Sequence, residues 1–170
     1  MSEDIVIDPS FKTIPTDILE LLGKGVSYGE FTGLEEKHKE AIYKVACIRY
    51  ENDRYVEALK LFSLGSIQFQ YEERFYFGSG SCAKMLKEYD LAIKNFIVAK
   101  MLNPENIAAE LEVAECYFLQ GKSSDAKSML LKIKNENNEN KNNKKILLKV
   151  NSYLNLFNKE TSKKDVKIEE

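Results

Sequence analysis

Tyr43, Phe77 and Leu111 stand 34 residues apart, and four residues beyond the first two come the small side chains of Cys47 and Ser81. Large apolar groups flanking small ones on helices make shallow pockets. The chemistry such pockets support is non-covalent capture of apolar side chains on an extended peptide. Residues for covalent chemistry are sparse. His38 is the single histidine; it sits among lysines and glutamates, and no nucleophile–base–acid set assembles around it. It also lacks a histidine partner for a metal site. Cys47, Cys82 and Cys116 form no C-x-x-C pair and read as small buried thiols. Gly78-Ser79-Gly80 falls inside a helical stretch, where packing explains it better than phosphate binding. Glu35-Glu36 and Glu72-Glu73 read as solvated helix faces. The expectation is a binding protein with no catalytic residue, no metal and no cofactor.

The same interval governs the elements that must carry these side chains. Ala58, Ala92 and Ala126 recur every 34 residues; twelve residues before each stands Ala46, Gly80 or Ala114, and four after each Phe62, Phe96 or Leu130. This period with small–small–large spacing is the signature of tetratricopeptide repeats, each a pair of antiparallel helices. The six tiny residues mark helix crossings, where only a minimal side chain admits the close approach of two backbones. An all-α fold is therefore expected: three tandem repeats in a superhelix, a short N-terminal helix before them and a C-terminal capping helix after.

Divided along the chain, residues 1–15 read as a flexible N-terminus and 16–33 as a short helix and linker. The repeats occupy 34–134, at about 39–72, 73–106 and 107–134, with helices at roughly 34–50, 54–68, 73–86, 88–102, 105–119 and 123–134. Thr32-Gly33-Leu34-Glu35 predicts a capping box at the first long helix. Asn103-Pro104 predicts an N-cap with proline in the first turn of the third repeat. The turns within pairs fall at Asn52-Asp53, Lys87 and Gly121-Lys122. Residues 135–143 are asparagine-rich and read as a flexible loop. A stripe of Ile146, Leu147, Val150, Tyr153, Leu154 and Phe157 predicts the capping helix at 144–159, with a flexible tail at 160–170.

The first helix of every repeat lines the hollow face of such a superhelix. With the signature alanine as position twenty, the hollow face takes positions two, five, nine and twelve. These are Glu40, Tyr43, Cys47 and Tyr50, then Arg74, Phe77, Ser81 and Lys84, then Ala108, Leu111, Glu115 and Phe118. Tyr43, Tyr50 and Phe118 are assigned to the groove and Phe62 and Phe96 to the core; Tyr55 and Tyr89, at one repeat position at the start of the second helix, read as structural, with the groove's edge as the alternative for Tyr55.

Composition narrows the partners. A net charge of −2 argues against a general nucleic-acid binder, whose phosphate contacts need a basic excess. No window approaches the roughly 18–20 apolar residues of a membrane span. Met1-Ser2-Glu3-Asp4 is acidic and lacks the layout of a secretion signal, so the expected location is the cytoplasm. The clamp by which many tetratricopeptide proteins hold a terminal carboxylate needs lysine at position five and asparagine at position nine. Tyr43, Cys47 and, at position six of the second repeat, Gly78 stand against it.

Several runs resemble a known family. Tyr71-Glu72-Glu73-Arg74-Phe75-Tyr76-Phe77-Gly78-Ser79-Gly80-Ser81-Cys82, continuing to Glu88-Tyr89-Asp90-Leu91-Ala92-Ile93, is similar to the second repeat of the class II chaperones of type III secretion systems. Val113 to Gly121 resembles their third repeat, Tyr55 to Phe62 their first, and Ile18 to Gly33 their N-terminal helix and link. The resemblance spans roughly residues 16 to 134. It implies a cytosolic chaperone that keeps hydrophobic translocator proteins soluble, with a Pro-x-Leu-x-x-Pro segment of the client in the hollow face. Contact with the membrane would come only through that client. The resemblance puts peptide contacts at Tyr43, Tyr55 and Phe96, the last departing from its core assignment and so given a shared role. It implies a homodimer through Ile18, Leu19 and Leu22. Some members also assist a transcription activator, a role the sequence leaves open here, as it does the alternative of a generic peptide-binding adaptor. The chain departs from the family pattern in its asparagine-rich insertion and in Arg49, which implies a looser or salt-bridged first repeat.

Overall fold

Three turns of one design fold the chain back on itself at the repeat interval. Asp53, Lys87 and Gly121 all adopt left-handed backbone, with φ of 59°, 64° and 76°. In each turn the next amide reaches back five residues: Arg54 to the Arg49 carbonyl (2.9 Å), Glu88 to Ala83 (2.9 Å) and Lys122 to Tyr117 (3.0 Å). That bond closes a helix end by satisfying a carbonyl otherwise left bare, and it redirects the chain into an antiparallel partner. Glycine occupies this position only in the third turn; Asp53 and Lys87 accept a backbone strained by about 1–3 kcal/mol.

The computed structural model describes residues 20, 21, 23–137 and 143–165, with side chains up to 157. A four-residue helix, α1 (Tyr28–Phe31), leads in. Three pairs follow: α2 (Glu36–Glu51) with α3 (Tyr55–Gln68), α4 (Glu73–Met85) with α5 (Tyr89–Leu102), and α6 (Ile107–Leu119) with α7 (Ser123–Asn137); α8 (Lys144–Asp165) ends the array. No strand occurs among the described residues. Consecutive helices pack on one another throughout, and α1 rests on α3. The expected tandem-repeat architecture is the one observed.

Tiny side chains sit at every crossing. Ala46, Ala58, Ala92, Ala114 and Ala126 have no exposed surface, and a Cβ on Gly80 would meet the Phe96 ring at 2.8 Å. Around them the core forms three successive layers. The first gathers Phe62, Phe69, Phe75 and Cys82, the second Ile93, Phe96, Val113 and Cys116, and the third Leu111, Leu130, Ile133, Val150, Leu154 and Phe157. An added side chain at a crossing has nowhere to go. Ala92→Leu is expected to cost about 1–3 kcal/mol through overpacking, read as a lowered denaturation midpoint; an unchanged midpoint would contradict the repeat register.

Charged groups tie layers together. Glu110, on α6, is 8% exposed and takes Lys100 from α5 at 3.1 Å and Lys132 from α7 at 3.0 Å. Burial alone would raise its pKa, but hydrogen bonds from Lys132 and Lys100 bring it below the ordinary glutamate value. Arg49 lies 3.5 Å from Glu57 of the paired helix, so the first repeat is salt-bridged where the pattern usually has an apolar residue.

Several boundaries differ from expectation. Thr32 does not cap α2: its hydroxyl donates to the carbonyls of Tyr28 and Gly29, closing α1. The capping box that forms is Ser27 with Glu30, while α2 begins with the Glu35 amide donating to His38 Nδ1 at 2.9 Å. The lone histidine thus has a structural task. Asn103 ends α5 rather than opening α6, whose cap is Asn106, accepting from the Ala109 amide at 3.1 Å. α7 runs to Asn137, where the Asn137 side chain donates to the Ile133 carbonyl and completes the last turn. α8 runs to Asp165 because neither glycine nor proline interrupts 144–165. The segment 1–15, the residues Ile18, Leu19 and Leu22, most of the asparagine-rich loop (138–142) and the end of the tail (166–170) lie outside the described residues.

Candidate functional site

On the first helix pair, Tyr43 gathers its neighbours into a half-buried aromatic nest. Its ring meets Phe62 edge-on at 5.8 Å and Phe75 at 5.7 Å. The Arg74 guanidinium lies over it at 4.6 Å and is held there by Glu40 at 2.5 Å. Residues at position two of consecutive repeats thus pair across α2 and α4, and the arginine caps the aromatic at position five. Burial, then the charge and hydrogen bond of Cys47, raises the Tyr43 hydroxyl above the ordinary tyrosine range. Further along α2, Tyr50 meets Tyr55 edge-on at 5.3 Å. Tyr55 donates to the Asp53 carboxylate, which pushes its pKa up to about 12. Glu40, Tyr43, Cys47, Tyr50, Tyr55 and Arg74 therefore belong to one surface region, all half-buried.

Phe77 continues the row on α4. It too is half-buried and meets Phe96 edge-on at 5.3 Å. The Ser81 hydroxyl donates to the Phe77 carbonyl at 2.9 Å, spending its polarity on its own helix and leaving a small, largely apolar floor. Beyond it, Lys84 binds Glu112 and, at 3.1 Å, Glu115. Burial alone would lower the Lys84 ammonium, but Glu112 and then Glu115 hold it above the ordinary lysine range. Glu115 also lies 3.5 Å from Lys149 of α8. Removing the central cation in Lys84→Met leaves Glu112 facing Glu115. The expected loss is about 1–2 kcal/mol, softened by the remaining lysine and partial exposure, and Glu112→Gln in the same chain should recover part of it in a denaturation series.

The third repeat departs from expectation. Leu111 is 3% exposed and shares a cluster with Val150, Leu154 and Phe157, so it is core rather than groove lining. Phe118 is clasped edge-on by Tyr153 at 5.7 Å and Phe157 at 5.4 Å, so its ring is engaged by α8. Glu115 is 7% exposed and neutralised in place, which removes it as a free contact. The reason is common to all three: α8 follows α7 as the next helix of the superhelix and closes its apolar stripe against α6. Phe96 is fully buried between Gly80 and Phe77. Its core assignment holds, and the peptide contact implied by resemblance does not, because no surface of the ring is accessible. The open aromatic row is thus confined to α2, α4 and the start of α3.

Some participants escaped the sequence reading: Glu112, Lys149, the contact of Tyr153 with Phe118, and the contacts from Lys39 to Glu72 (2.7 Å) and from Asn106 to Glu73 (3.0 Å). A signal existed in opposite charges one repeat apart, as at Glu40 with Arg74 and Glu115 with Lys149. Cys82 and Cys116 are buried, and burial pushes both thiols up to about 12, far from a reactive thiolate. Among the described residues no three histidine, cysteine or acidic side chains converge as metal ligands, and no helix is long and apolar enough to cross a membrane.

No family model matches the chain. It is 29% identical over 91 residues to low calcium response locus protein H of Yersinia pestis, covering 54% of each chain; the chain spans about half the length of the curated relatives it matches. Its fold is similar to the Yersinia enterocolitica type III secretion chaperone SycD in complex with a peptide of the translocator YopD. That likeness has a TM-score of 0.69 and 23% identity over 76% of this chain and 98% of that one. It is also similar to a chain of a type III secretion complex from Aeromonas hydrophila, with a TM-score of 0.78 and 20% identity over 86% of this chain and 98% of that one. At these identities the structural likenesses establish the fold.

Proposed function

We propose that this chain, similar in sequence to low calcium response locus protein H and in fold to the translocator chaperone SycD, is itself a type III secretion chaperone. It holds hydrophobic translocator proteins soluble in the cytoplasm before export. The observation that carries the reading is the row Tyr43, Tyr50, Tyr55 and Phe77, half-buried around the small Cys47 and Ser81. Such a row offers apolar rims and floors to one extended strand of the Pro-x-Leu-x-x-Pro kind, with Arg74 and Glu40 on its edge. Each apolar anchor buried there contributes about 1–3 kcal/mol. Two or three anchors, set against the cost of ordering the peptide, correspond to a Kd of about a micromolar. That strength keeps a client from aggregating and still lets an export machine remove it. The action is binding alone and needs no nucleotide.

Co-expression tests it. A hydrophobic translocator that is insoluble alone becomes soluble and co-purifies with this chain; recovery of the translocator only in the pellet would reject the reading. Homodimerisation through Ile18, Leu19 and Leu22 is part of the proposal. Deleting residues 1–25 is expected to halve the mass found by light scattering, and an unchanged mass would reject that interface.

A further inference from the structure

We propose that the groove formed by α2 and α4 is also the docking surface for a segment of this same chain, Pro9 to Pro15, which a client must displace. The inference rests on the groove's being a site for an extended apolar strand. Pro9, Phe11, Ile14 and Pro15 place four apolar side chains in seven residues. The prolines fix their own φ and disfavour helix at Asp8 and Ile14, so the segment has the chemistry of a strand ligand. Phe11 is an aromatic anchor of the size that a floor such as Cys47 or Ser81, between the rings of Tyr43 and Phe77, accommodates.

Where the described chain begins makes the site reachable. α1 is fastened beside the groove: the Tyr28 amide donates to Gln70 Oε1 at 3.0 Å. A Cβ on Gly29 would lie 2.9 Å from the Gln68 carbonyl. Two residues past Gln70, Glu72 holds Lys39 at 2.7 Å and lies 3.3 Å from Arg74 on the groove's rim. From Glu20 the chain back to Phe11 extends up to about 30 Å, whereas packed helices such as α2 and α4 lie about 8–10 Å apart. The other apolar surface within reach is the outer face of α3 and α5, where Ile67 and Met101 occupy the same repeat position and are 64% and 74% exposed. That face is a pair of helix ridges without an aromatic-rimmed floor, and suits a helix better than a proline-bracketed strand.

The test titrates a fluorescein-labelled peptide of residues 7–17 into two full-length proteins, the native chain and Phe11→Ser/Ile14→Ser, followed by anisotropy. The variant is expected to bind the peptide at least tenfold more tightly, because its groove is no longer self-occupied. Adding Tyr43→Ala should remove the gain, and light scattering should give the same mass for both. Pro9→Ser/Pro15→Ser supplies an independent variant with the same expected direction. Equal affinities for native chain and variant, both lost with Tyr43→Ala, would overturn self-occupancy and leave the client groove intact. A gain that survives Tyr43→Ala but falls with Ile67→Lys/Met101→Lys would place the segment on the outer face. A gain accompanied by a change in mass would assign the segment to a second copy. Absence of peptide binding to either protein would overturn the docking, while co-expression with a translocator decides the chaperone reading separately.

Discussion

Gly65→Ala destabilises this protein by about 3 kcal/mol, at the upper end of overpacking costs, and lowers Tm by about 6–12 °C for a chain of this size. A Cβ at Gly65 would sit 2.1 Å from the Phe75 ring, closer than any real contact. Phe75 cannot yield. It is fully buried, stacked on Phe69 at 6.0 Å and met edge-on by Tyr43 at 5.7 Å. Relief must therefore come from separating α3 and α4, which opens the first core layer. The same methyl at Gly23, with no heavy atom within 4 Å of the added carbon, removes only a flexible residue from a helical turn and should be neutral or stabilising. Paired thermal melts of the two variants check this, and comparable midpoints would contradict the packing. Because Phe75 supports Tyr43, Gly65→Ala should also blunt peptide binding at temperatures where the chain is still folded.

Tyr43→Ala is the counterpart at the surface. The truncation removes one rim of the groove and releases Arg74 from the ring it covers, so in a chain whose own segment no longer competes (Phe11→Ser/Ile14→Ser) affinity for an extended apolar peptide falls by tenfold or more, about 1.4 kcal/mol at least. The helices stay, because Phe62, Phe69 and Phe75 remain packed beneath. Circular dichroism alongside a binding isotherm separates the two roles. Loss of helix content together with binding would show that Tyr43 serves the core, and unchanged affinity would remove it from the groove.

Much of this architecture is legible in the sequence, for a specific physical reason. A repeat superhelix is held by contacts between neighbours one period apart, so Ala58, Ala92 and Ala126 disclose both the period and the crossings. The turns at Asp53, Lys87 and Gly121 obey the same interval, although only the last carries glycine to announce its backbone. Legibility fails where the repeat loses its marker. Beyond the asparagine-rich stretch the crossing position held by Ala46, Gly80 and Ala114 becomes Leu148, so the stripe of Val150, Tyr153, Leu154 and Phe157 announces a capping helix without revealing that it covers Leu111 and engages Phe118. Caps failed for a different reason: Thr32 and Asn103 suit the start of one helix and the end of the previous one equally well. Only the packed chain decides between those uses. At the site, the aromatic row on α2 and α4 was readable from position, whereas its support was not. Arg74 over Tyr43 and the Lys84 cluster depend on pairings between repeats that charge alternation alone suggests weakly.

The most direct measurement is an amide chemical-shift map of the isotopically labelled full-length chain during titration with a synthetic Pro-x-Leu-x-x-Pro peptide. Saturable shifts concentrated at Tyr43, Cys47, Tyr50, Phe77 and Ser81, with Ile67 and Met101 unmoved, are the predicted result. Shifts concentrated on the outer face around Ile67 and Met101, or none at any residue, would contradict it.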